Sequence, residues 1–261
     1  MLLALVVWIL TIAICVGFAG KFWWFPPPIS AHGEAYDAQF TATLIVTGII
    51  FFAAQMALGY AIFKYRASGR RVEYSHGNNK LEVIWTSAAA ILFVGLVLMG
   101  THIWAGVHFE KAPADALQIQ VLAKQFAWSF RYAGPDGKFG RTDIKLINDA
   151  NGNPFGLDEK DPDSKDDIVN ATLKVPVGKP ILLILRSRDV IHNFFVRELR
   201  MKQDIVPGME IPFHFQADKI GTYEVPCSEL CGLGHSQMRS TLQVMPEEEF
   251  EKWKKDQLAQ K

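Results

Sequence analysis

The sequence predicts a membrane-anchored all-β protein, and three observations lead to this fold class. Long segments without charged residues fill the first part of the chain, whereas residues 111–261 hold most of its Asp, Glu, Lys and Arg. From Leu117 onward, short runs of alternating apolar residues replace the long apolar segments. The formal net charge of the 261 residues is +0, so the basic excess of a nucleic-acid-binding protein is missing, and we exclude nucleic acid as a partner.

Three apolar segments predict the membrane helices. Residues 40–63 and 83–107 each reach the roughly 20 apolar residues that a helix needs to cross the hydrocarbon core. Residues 2–19 are also uncharged, and we favour a retained third helix over a cleaved signal peptide, because no basic residue precedes them and no convincing cleavage site follows. We therefore assign 1–20 to an N-terminal transmembrane helix (or signal segment), 21–37 to an external loop and 38–110 to a transmembrane hairpin.

A cluster of basic residues orients the hairpin. The loop 64–82 between the two helices carries five of them: Lys64, Arg66, Arg70, Arg71 and Lys80. Loops rich in Lys and Arg stay in the cytoplasm. The hairpin therefore begins and ends outside, and the rest of the chain is expected on the periplasmic side.

Residues 111–246 are predicted to form the exported β domain. Runs such as PILLILRS, GMEIPFHFQ and GTYEVPC are rich in strand-forming residues and are separated by Gly and Pro. Short strands at this spacing favour an antiparallel sandwich or a small barrel. Residues 134–167 are polar and show little periodicity, which indicates a long insertion or surface loop. Residues 247–261 are predicted to form a helical tail.

One short run near the C-terminus carries metal-binding chemistry. Cys227, Cys231, His235 and Met238 lie close together in sequence, and His192 lies upstream at the end of a strand-like run. Thiolate, imidazole and thioether together select copper over hard cations, and two neighbouring thiolates can bridge two copper ions. Two alternatives remain open. A disulfide is feasible in an oxidising compartment, and two Cys with two His also suit structural zinc.

The pattern C-x-E-x-C-x3-H-x2-M, preceded by D-V-I-H and K-x-D-x-x-P-G, closely resembles subunit II of cytochrome c oxidase over roughly residues 38–245. The resemblance implies a cupredoxin-like Greek-key β-sandwich or barrel holding two copper ions as a dinuclear copper A site. By the resemblance, Cys227 and Cys231 are bridging thiolates and His192 and His235 are terminal ligands. Met238 and the Glu229 carbonyl are then weak axial ligands, and the Glu229 side chain binds magnesium at the boundary with the catalytic subunit.

The resemblance also implies a function. An electron-entry subunit of this kind accepts electrons from cytochrome c and passes them to the haem a/copper B catalytic subunit, which reduces O2 to water coupled to proton pumping. The expected partners are haem–copper oxidase subunit I, the other oxidase subunits, a cytochrome c donor and membrane lipid. The expected location is a respiratory membrane, the inner membrane of a bacterial cell. The alternative is a stand-alone membrane-tethered cupredoxin that carries electrons.

Several residues match secondary features of the family. Glu82, in LEVIWT, corresponds to a glutamate at the entrance of a proton pathway, although an interfacial glutamate explains it equally simply. Phe126 occupies the position of the tryptophan at which electrons enter, so either Phe126 or Trp128 is the expected entry point, unless both are ordinary core aromatics. Asp189 and Asp204 are the candidate residues for donor docking.

The charges around the candidate docking surface depart from the family pattern. Arg188 stands directly before Asp189, where the family often has an acidic residue. The insertion carries six acidic residues against two lysines over 158–167. We therefore hypothesise that the electron donor docks against the insertion or is not strongly basic.

Overall fold

The computed structural model describes residues 1–21, 24–67, 69 and 76–260, which fall into two compact units. The first unit comprises Met1–Pro26 and Tyr36–Trp104, and the second comprises Pro27–Ala35 and Ala105–Lys261. Part of the predicted cytoplasmic loop, including Arg70 and Arg71, lies outside the described residues, as do Phe22 and Trp23 of the external loop.

Among the described residues, three helices are long and apolar enough to cross a membrane. They are α1 (Leu2–Ala19), α2 (Ala31–Lys64) and α3 (Asn79–His108). Almost no residue of their most apolar stretches is buried within the chain. A helix satisfies its own backbone hydrogen bonds, so segments that expose apolar side chains in this way are suited to lipid or to neighbouring membrane helices.

Helix α2 begins at Ala31, inside the segment 21–37 that the sequence assigns to an external loop. The side chain of Ser30 accepts a hydrogen bond of 3.0 Å from the backbone N–H of Gly33. Such a cap satisfies an N–H group that lacks a partner in the first turn, and it sets the start of the helix earlier than apolarity alone predicts.

Helix α3 likewise begins inside the predicted loop 64–82, at Asn79. The Asn78 side chain accepts hydrogen bonds from the N–H groups of Lys80 and Leu81, at 3.1 and 3.2 Å. Glu82 lies in the first turn, where a carboxylate is favoured by the helix dipole.

The second unit is built mainly from strands. In chain order they are β1 (Leu117–Lys124), β2 (Ala127–Tyr132), β3 (Ile168–Asn170), β4 (Leu173–Pro176), β5 (Pro180–Ser187), β6 (His192–Val196), β7 (Met201–Ile205), β8 (Ile211–Gln216), β9 (Gly221–Pro226) and β10 (Arg239–Met245). They form a five-stranded sheet in the order β3-β2-β1-β5-β8, a three-stranded sheet in the order β4-β10-β9, and the β6-β7 pair. The predicted fold class, membrane helices followed by a cupredoxin-like β domain, is confirmed.

The sheets are mixed, whereas the sequence predicts antiparallel pairing. Strand β1 pairs with β5 in parallel, and β10 pairs with β4 in parallel. The physical reason is the connectivity, since parallel neighbours require a long crossover connection. Between β1 and β5 the chain passes through β2, the insertion, β3 and β4 before it returns.

The core of the domain comes from alternate residues of the central strands. On β1, β5 and β8 the inward row is almost completely inaccessible to solvent: Ile119, Val121, Ile181, Leu183, Leu185, Phe213 and Phe215. Burying each such side chain contributes roughly 1.5–3 kcal/mol. The alternation seen in the sequence is therefore the two-residue period of strands with one face against the core.

The insertion 134–167 has no strand among the described residues, but it is fixed to the sheet by a buried ion pair. Arg131 on β2 pairs with Asp167 at the end of the insertion, and both side chains are inaccessible to solvent. The guanidinium also donates to the carbonyl of Gly140 at 2.5 Å, and Asp167 accepts from the N–H of Gly140 at 2.9 Å. Both ends of the insertion therefore converge on one arginine.

Helix α4 (Glu247–Ala259) forms the predicted tail and covers one end of the β domain. Its Phe250 is fully buried, and the ring of Trp253 lies 5.1 Å from that of Tyr132 on β2. The ammonium group of Lys174 on β4 lies 5.0 Å from the centre of the Trp253 ring. Aromatic packing and a cation–π contact attach the helix to the sheet.

Candidate metal centre

The metal loop, residues 227–238, connects β9 to β10 and is closed by backbone hydrogen bonds. The N–H of Cys227 donates to the carbonyl of Met238 at 3.0 Å, which joins the two ends of the loop. The N–H of Ser228 donates to the carbonyl of Asn193 at 3.2 Å, which ties the loop to β6. The Cys227 side chain is thereby placed beside His192, the first residue of β6.

Two thiols and two imidazoles form the centre of the site. The sulfur atoms of Cys227 and Cys231 are 3.9 Å apart. Nδ1 of His192 lies 3.8 Å from the Cys227 sulfur, and Nδ1 of His235 lies 3.6 Å from the Cys231 sulfur. Each thiol therefore has its own imidazole.

Two further donor atoms flank the thiols. The Met238 thioether sulfur lies 3.8 Å from the Cys231 sulfur, and the Glu229 carbonyl oxygen lies 3.2 Å from the Cys227 sulfur. The Glu229 side chain is exposed. The structure thus brings together all six residues that the sequence singles out as copper ligands, with the Glu229 carboxylate outside the cluster.

The site is largely buried and chemically suited to a soft metal. His192 and Met238 are fully buried, and Cys227 and Cys231 are 6% and 3% exposed. Burial, together with the neighbouring Cys227 thiol, raises the pKa of Cys231 to about 11, so a bound cation is needed to hold the Cys231 sulfur as a thiolate near neutral pH. Two sulfurs, two imidazole nitrogens and a thioether fit copper, and the 3.9 Å separation of the thiols is about twice the roughly 2 Å of a disulfide.

Asp189 lies behind the first imidazole. Its Oδ1 lies 2.8 Å from Nε2 of His192, and its Oδ2 accepts a hydrogen bond of 2.7 Å from the N–H of Gln125. Burial acts to raise the pKa of Asp189, but the hydrogen bonds from Gln125, His192 and Val190 outweigh it and hold the pKa below its ordinary value. A carboxylate on the far nitrogen orients the ring and leaves Nδ1 free to bind a metal.

Asp204, the second predicted docking residue, is exposed and accepts a hydrogen bond of 2.5 Å from the side-chain amide of Asn193. Asn193 is fully buried, follows His192 directly and receives the N–H of Ser228. Asp204 therefore contacts a residue that holds the metal loop, a role that its position in the sequence does not indicate.

The two candidate aromatic residues occupy different places. Phe126 is 38% exposed and lies against the metal loop, because a Cβ added at Gly234 would come within 2.5 Å of its ring and one at Gly232 within 3.1 Å. Trp128 is 3% exposed, and its ring centre lies 6.4 Å from that of His192. One ring is at the surface of the site and the other is inside it.

Sequence reasoning missed the contribution of Gln125. Its side-chain amide donates a hydrogen bond to the carbonyl of Cys231, while its backbone N–H binds Asp189. Gln125 thus joins the metal loop to the residue behind His192. The two contacts span 106 and 64 residues, so no local pattern signals them.

Comparisons with known proteins agree with this geometry. The family model described as "Cytochrome C oxidase subunit II, periplasmic domain" matches residues 117–245. The "Alternative cytochrome c oxidase subunit 2" of Bradyrhizobium diazoefficiens is 36% identical over 238 residues, covering 90% of this chain and 84% of that protein. The chain belongs to the cytochrome c oxidase subunit II family.

Two further proteins are similar to this chain. The "Cytochrome c oxidase subunit 2" of Thermostichus vulcanus is 30% identical over 287 residues, covering 97% of this chain and 86% of that protein. The crystal structure of the periplasmic domain of subunit II (CoxB) of Bradyrhizobium japonicum is 28% identical and covers 57% of this chain and 99% of its own, with a TM-score of 0.42. The predicted family is confirmed, and copper binding and electron transport follow from it.

Proposed function

We propose that this chain is the electron-entry subunit of a respiratory cytochrome c oxidase and that its metal loop holds a dinuclear copper A site. The observation that carries the proposal is the pairing of each thiol with its own imidazole, at 3.8 Å for His192 with Cys227 and 3.6 Å for His235 with Cys231. A mononuclear blue-copper site uses a single Cys, whereas two copper ions bridged by two sulfurs need one terminal imidazole each.

When bound, a dinuclear copper centre supplies one-electron uptake and release. The protein contributes a rigid and largely buried set of metal-binding atoms. Asp189 orients His192, the Cys227–Met238 backbone bond closes the loop, and Gln125 holds the carbonyl of Cys231. A rigid surrounding keeps the donor atoms in place when the charge of the centre changes, which favours rapid transfer with little driving force.

We propose that electrons enter at Phe126. Its ring is exposed and lies on the loop backbone at Gly232 and Gly234. Trp128 is buried against His192 and is better placed to shield the centre than to meet a partner protein.

We place the exit towards the catalytic subunit on the side of Glu229 and Leu230, which are both exposed. The free carboxylate of Glu229 suits a hard cation such as magnesium, held jointly with that subunit.

We further propose that the three apolar helices anchor the chain in the inner membrane of a bacterial cell, beside subunit I of a haem–copper oxidase. O2 reduction and proton pumping would reside in that partner, with Glu82 near the entrance of a proton pathway. Co-purification of the full chain with a haem-bearing subunit separates this assembly from a stand-alone electron carrier.

Copper stoichiometry and electron paramagnetic resonance of the full chain in detergent test the proposed centre. We expect two coppers per chain and a seven-line hyperfine pattern, because one unpaired electron is shared by two equivalent nuclei. One copper with a four-line pattern would contradict the dinuclear site. Tightly bound zinc with no copper uptake would favour the structural zinc alternative.

Replacing Phe126 by alanine tests the entry point. We expect donor-driven reduction of the assembled oxidase to slow by about tenfold, equivalent to about 1.4 kcal/mol, because an exposed aromatic anchor is lost. The control is Ile220→Ala, because Ile220 is also an exposed apolar residue. Ile220 directly precedes β9, whereas the metal loop begins at the other end of that strand. An unchanged rate in Phe126→Ala, with the copper signal intact, would exclude entry at this residue.

A further inference from the structure

The insertion places one carboxylate between two cations at the edge of the metal centre. Asp149 lies 2.6 Å from the ammonium of Lys124 and binds the guanidinium of Arg188 through both of its oxygens, at 3.1 and 2.8 Å. Lys124 directly precedes Gln125, and Arg188 directly precedes Asp189. Both cations therefore flank the residues that hold His192 and the metal loop.

Several other carboxylates of the insertion contact residues of the insertion itself or Arg131 on β2. Asp158 pairs with Arg141 at 2.9 Å, and Asp161 accepts the backbone N–H of Arg141 at 2.6 Å. Asp167 is buried against Arg131. Two of the six acidic residues over 158–167 are therefore neutralised by arginines, so the acidic surface of the insertion is smaller than the sequence indicates.

Three apolar residues that adjoin the metal loop or His192 are exposed at the surface. Phe126 is 38% exposed, Ile191 is 45% exposed, and Leu233, which stands between the two glycines under the Phe126 ring, is completely exposed. We call Phe126, Ile191 and Leu233 the entry patch. Apolar residues clustered at the surface of a functional site mark a contact with another molecule, because their burial removes apolar area from water.

We propose that Asp149 determines donor specificity: it offsets one of the two positive charges of Lys124 and Arg188, and the adjacent Asp189 carboxylate offsets the other, so that the rim of the entry patch carries no net charge and the patch takes a redox protein whose surface is apolar and uncharged around its own redox centre. The proposal rests on the proposed function of the chain as an electron-entry subunit. Charges at the rim of an interface act mainly on the association rate and its salt dependence, so their cancellation selects the partner.

The charge of Asp149 is secure under working conditions. Hydrogen bonds and charge from Arg188, followed by those from Lys124, lower the pKa of Asp149 to about 2. The carboxylate therefore stays ionised across the physiological range, and the rim keeps its neutral balance without depending on pH.

The test uses the assembled oxidase and two soluble cytochromes c of similar potential, one strongly basic and one acidic. Stopped-flow reduction is recorded across a range of ionic strength. We expect the wild-type rate to change by less than about threefold with salt for either donor. Asp149→Asn leaves Lys124 and Arg188 without their carboxylate. We therefore expect this variant to be reduced about tenfold faster by the acidic cytochrome and more slowly by the basic one. Both changes in rate should disappear at high salt.

Two further variants isolate the mechanism. Glu159→Gln removes the same charge from an exposed position in the insertion and is expected to behave like wild type. Asp149→Asn combined with Arg188→Gln restores most of the balance and is expected to lower the acidic donor's rate again. A steep salt dependence in wild type, or identical behaviour of Asp149→Asn and Glu159→Gln, would overturn the proposal.

The copper signal is recorded on every sample. A wild-type oxidase without a dinuclear signal, or one that no donor protein reduces, would contradict the proposed function itself. A normal signal with the wrong salt or donor preference would contradict only the role of Asp149.

Discussion

Replacing Cys227 by serine is expected to abolish electron entry while leaving the β domain folded. The Cys227 sulfur lies 3.8 Å from Nδ1 of His192 and 3.9 Å from the Cys231 sulfur. Its loss therefore removes the sulfur atom that connects His192 to the rest of the site. A serine hydroxyl is a hard donor that does not bridge copper ions. Loss of a residue that only hydrogen-bonds to a metal ligand already costs about 10–100-fold in metal affinity, and we expect loss of the Cys227 sulfur to slow donor-driven reduction by about 100-fold or more.

The measurement combines copper content, the electron paramagnetic resonance spectrum and the stopped-flow rate of the assembled oxidase. Cys15→Ser is the matched control, because Cys15 is the third cysteine of the chain and lies in α1. That variant is expected to keep two coppers and the wild-type rate. Two coppers and an unchanged rate in Cys227→Ser would show that the sulfur is not a bridging ligand.

The donor atoms of the site were predictable because their chemistry is concentrated in a short run of sequence. Cys227, Cys231, His235 and Met238 share one loop, and only a rare combination of side chains places two thiols, an imidazole and a thioether so close together. His192 is remote in sequence and begins β6, whereas the sequence places it at the end of a strand-like run. The role of each residue in binding metal stays a prediction until copper is measured.

The features that escaped sequence analysis depend on contacts between distant segments. The parallel pairing of β1 with β5 follows from the path of the chain and not from the residues of either strand. The contact of Asp149 with Arg188 joins residues 39 apart, inside a segment with no periodicity. Local patterns report which face of a strand is buried, but they carry no information on which charged residues meet across a fold.

The early start of α2 has a similar explanation. Apolarity marks where a helix enters lipid, whereas capping marks where it begins, and the two differ when a polar first turn lies outside the membrane. The second unit also contains Pro27–Ala35, which is attached to the β domain by backbone hydrogen bonds between Ile29 and Glu198 and between Asp218 and Ile29, at 3.0 and 2.7 Å. The first turn of α2 therefore belongs to the exported unit.

Asp167→Asn is expected to destabilise the β domain by about 3–5 kcal/mol, since it leaves the guanidinium of Arg131 charged and buried without its carboxylate. Urea unfolding of the full chain in detergent, followed by tryptophan fluorescence, measures the effect. With a slope of about 1–3 kcal/mol per molar urea, the midpoint should fall by about 2 M. Asp158→Asn is the control, because the Arg141 of that pair is 68% exposed and the expected cost stays below about 1 kcal/mol.

A compensating variant separates loss of the pair from loss of packing. Arg131→Met with Asp167→Leu removes both buried charges, so we expect it to recover part of the stability that Asp167→Asn loses. The same variants connect stability to function, because Arg131 and Asp167 hold the ends of the insertion that carries Asp149. If Asp167→Asn loosens the insertion, the oxidase should also acquire the donor preference of Asp149→Asn. An unfolding midpoint unchanged from wild type would show instead that the buried pair is not what fixes the insertion, and that Asp149 is held in place by Lys124 and Arg188 alone.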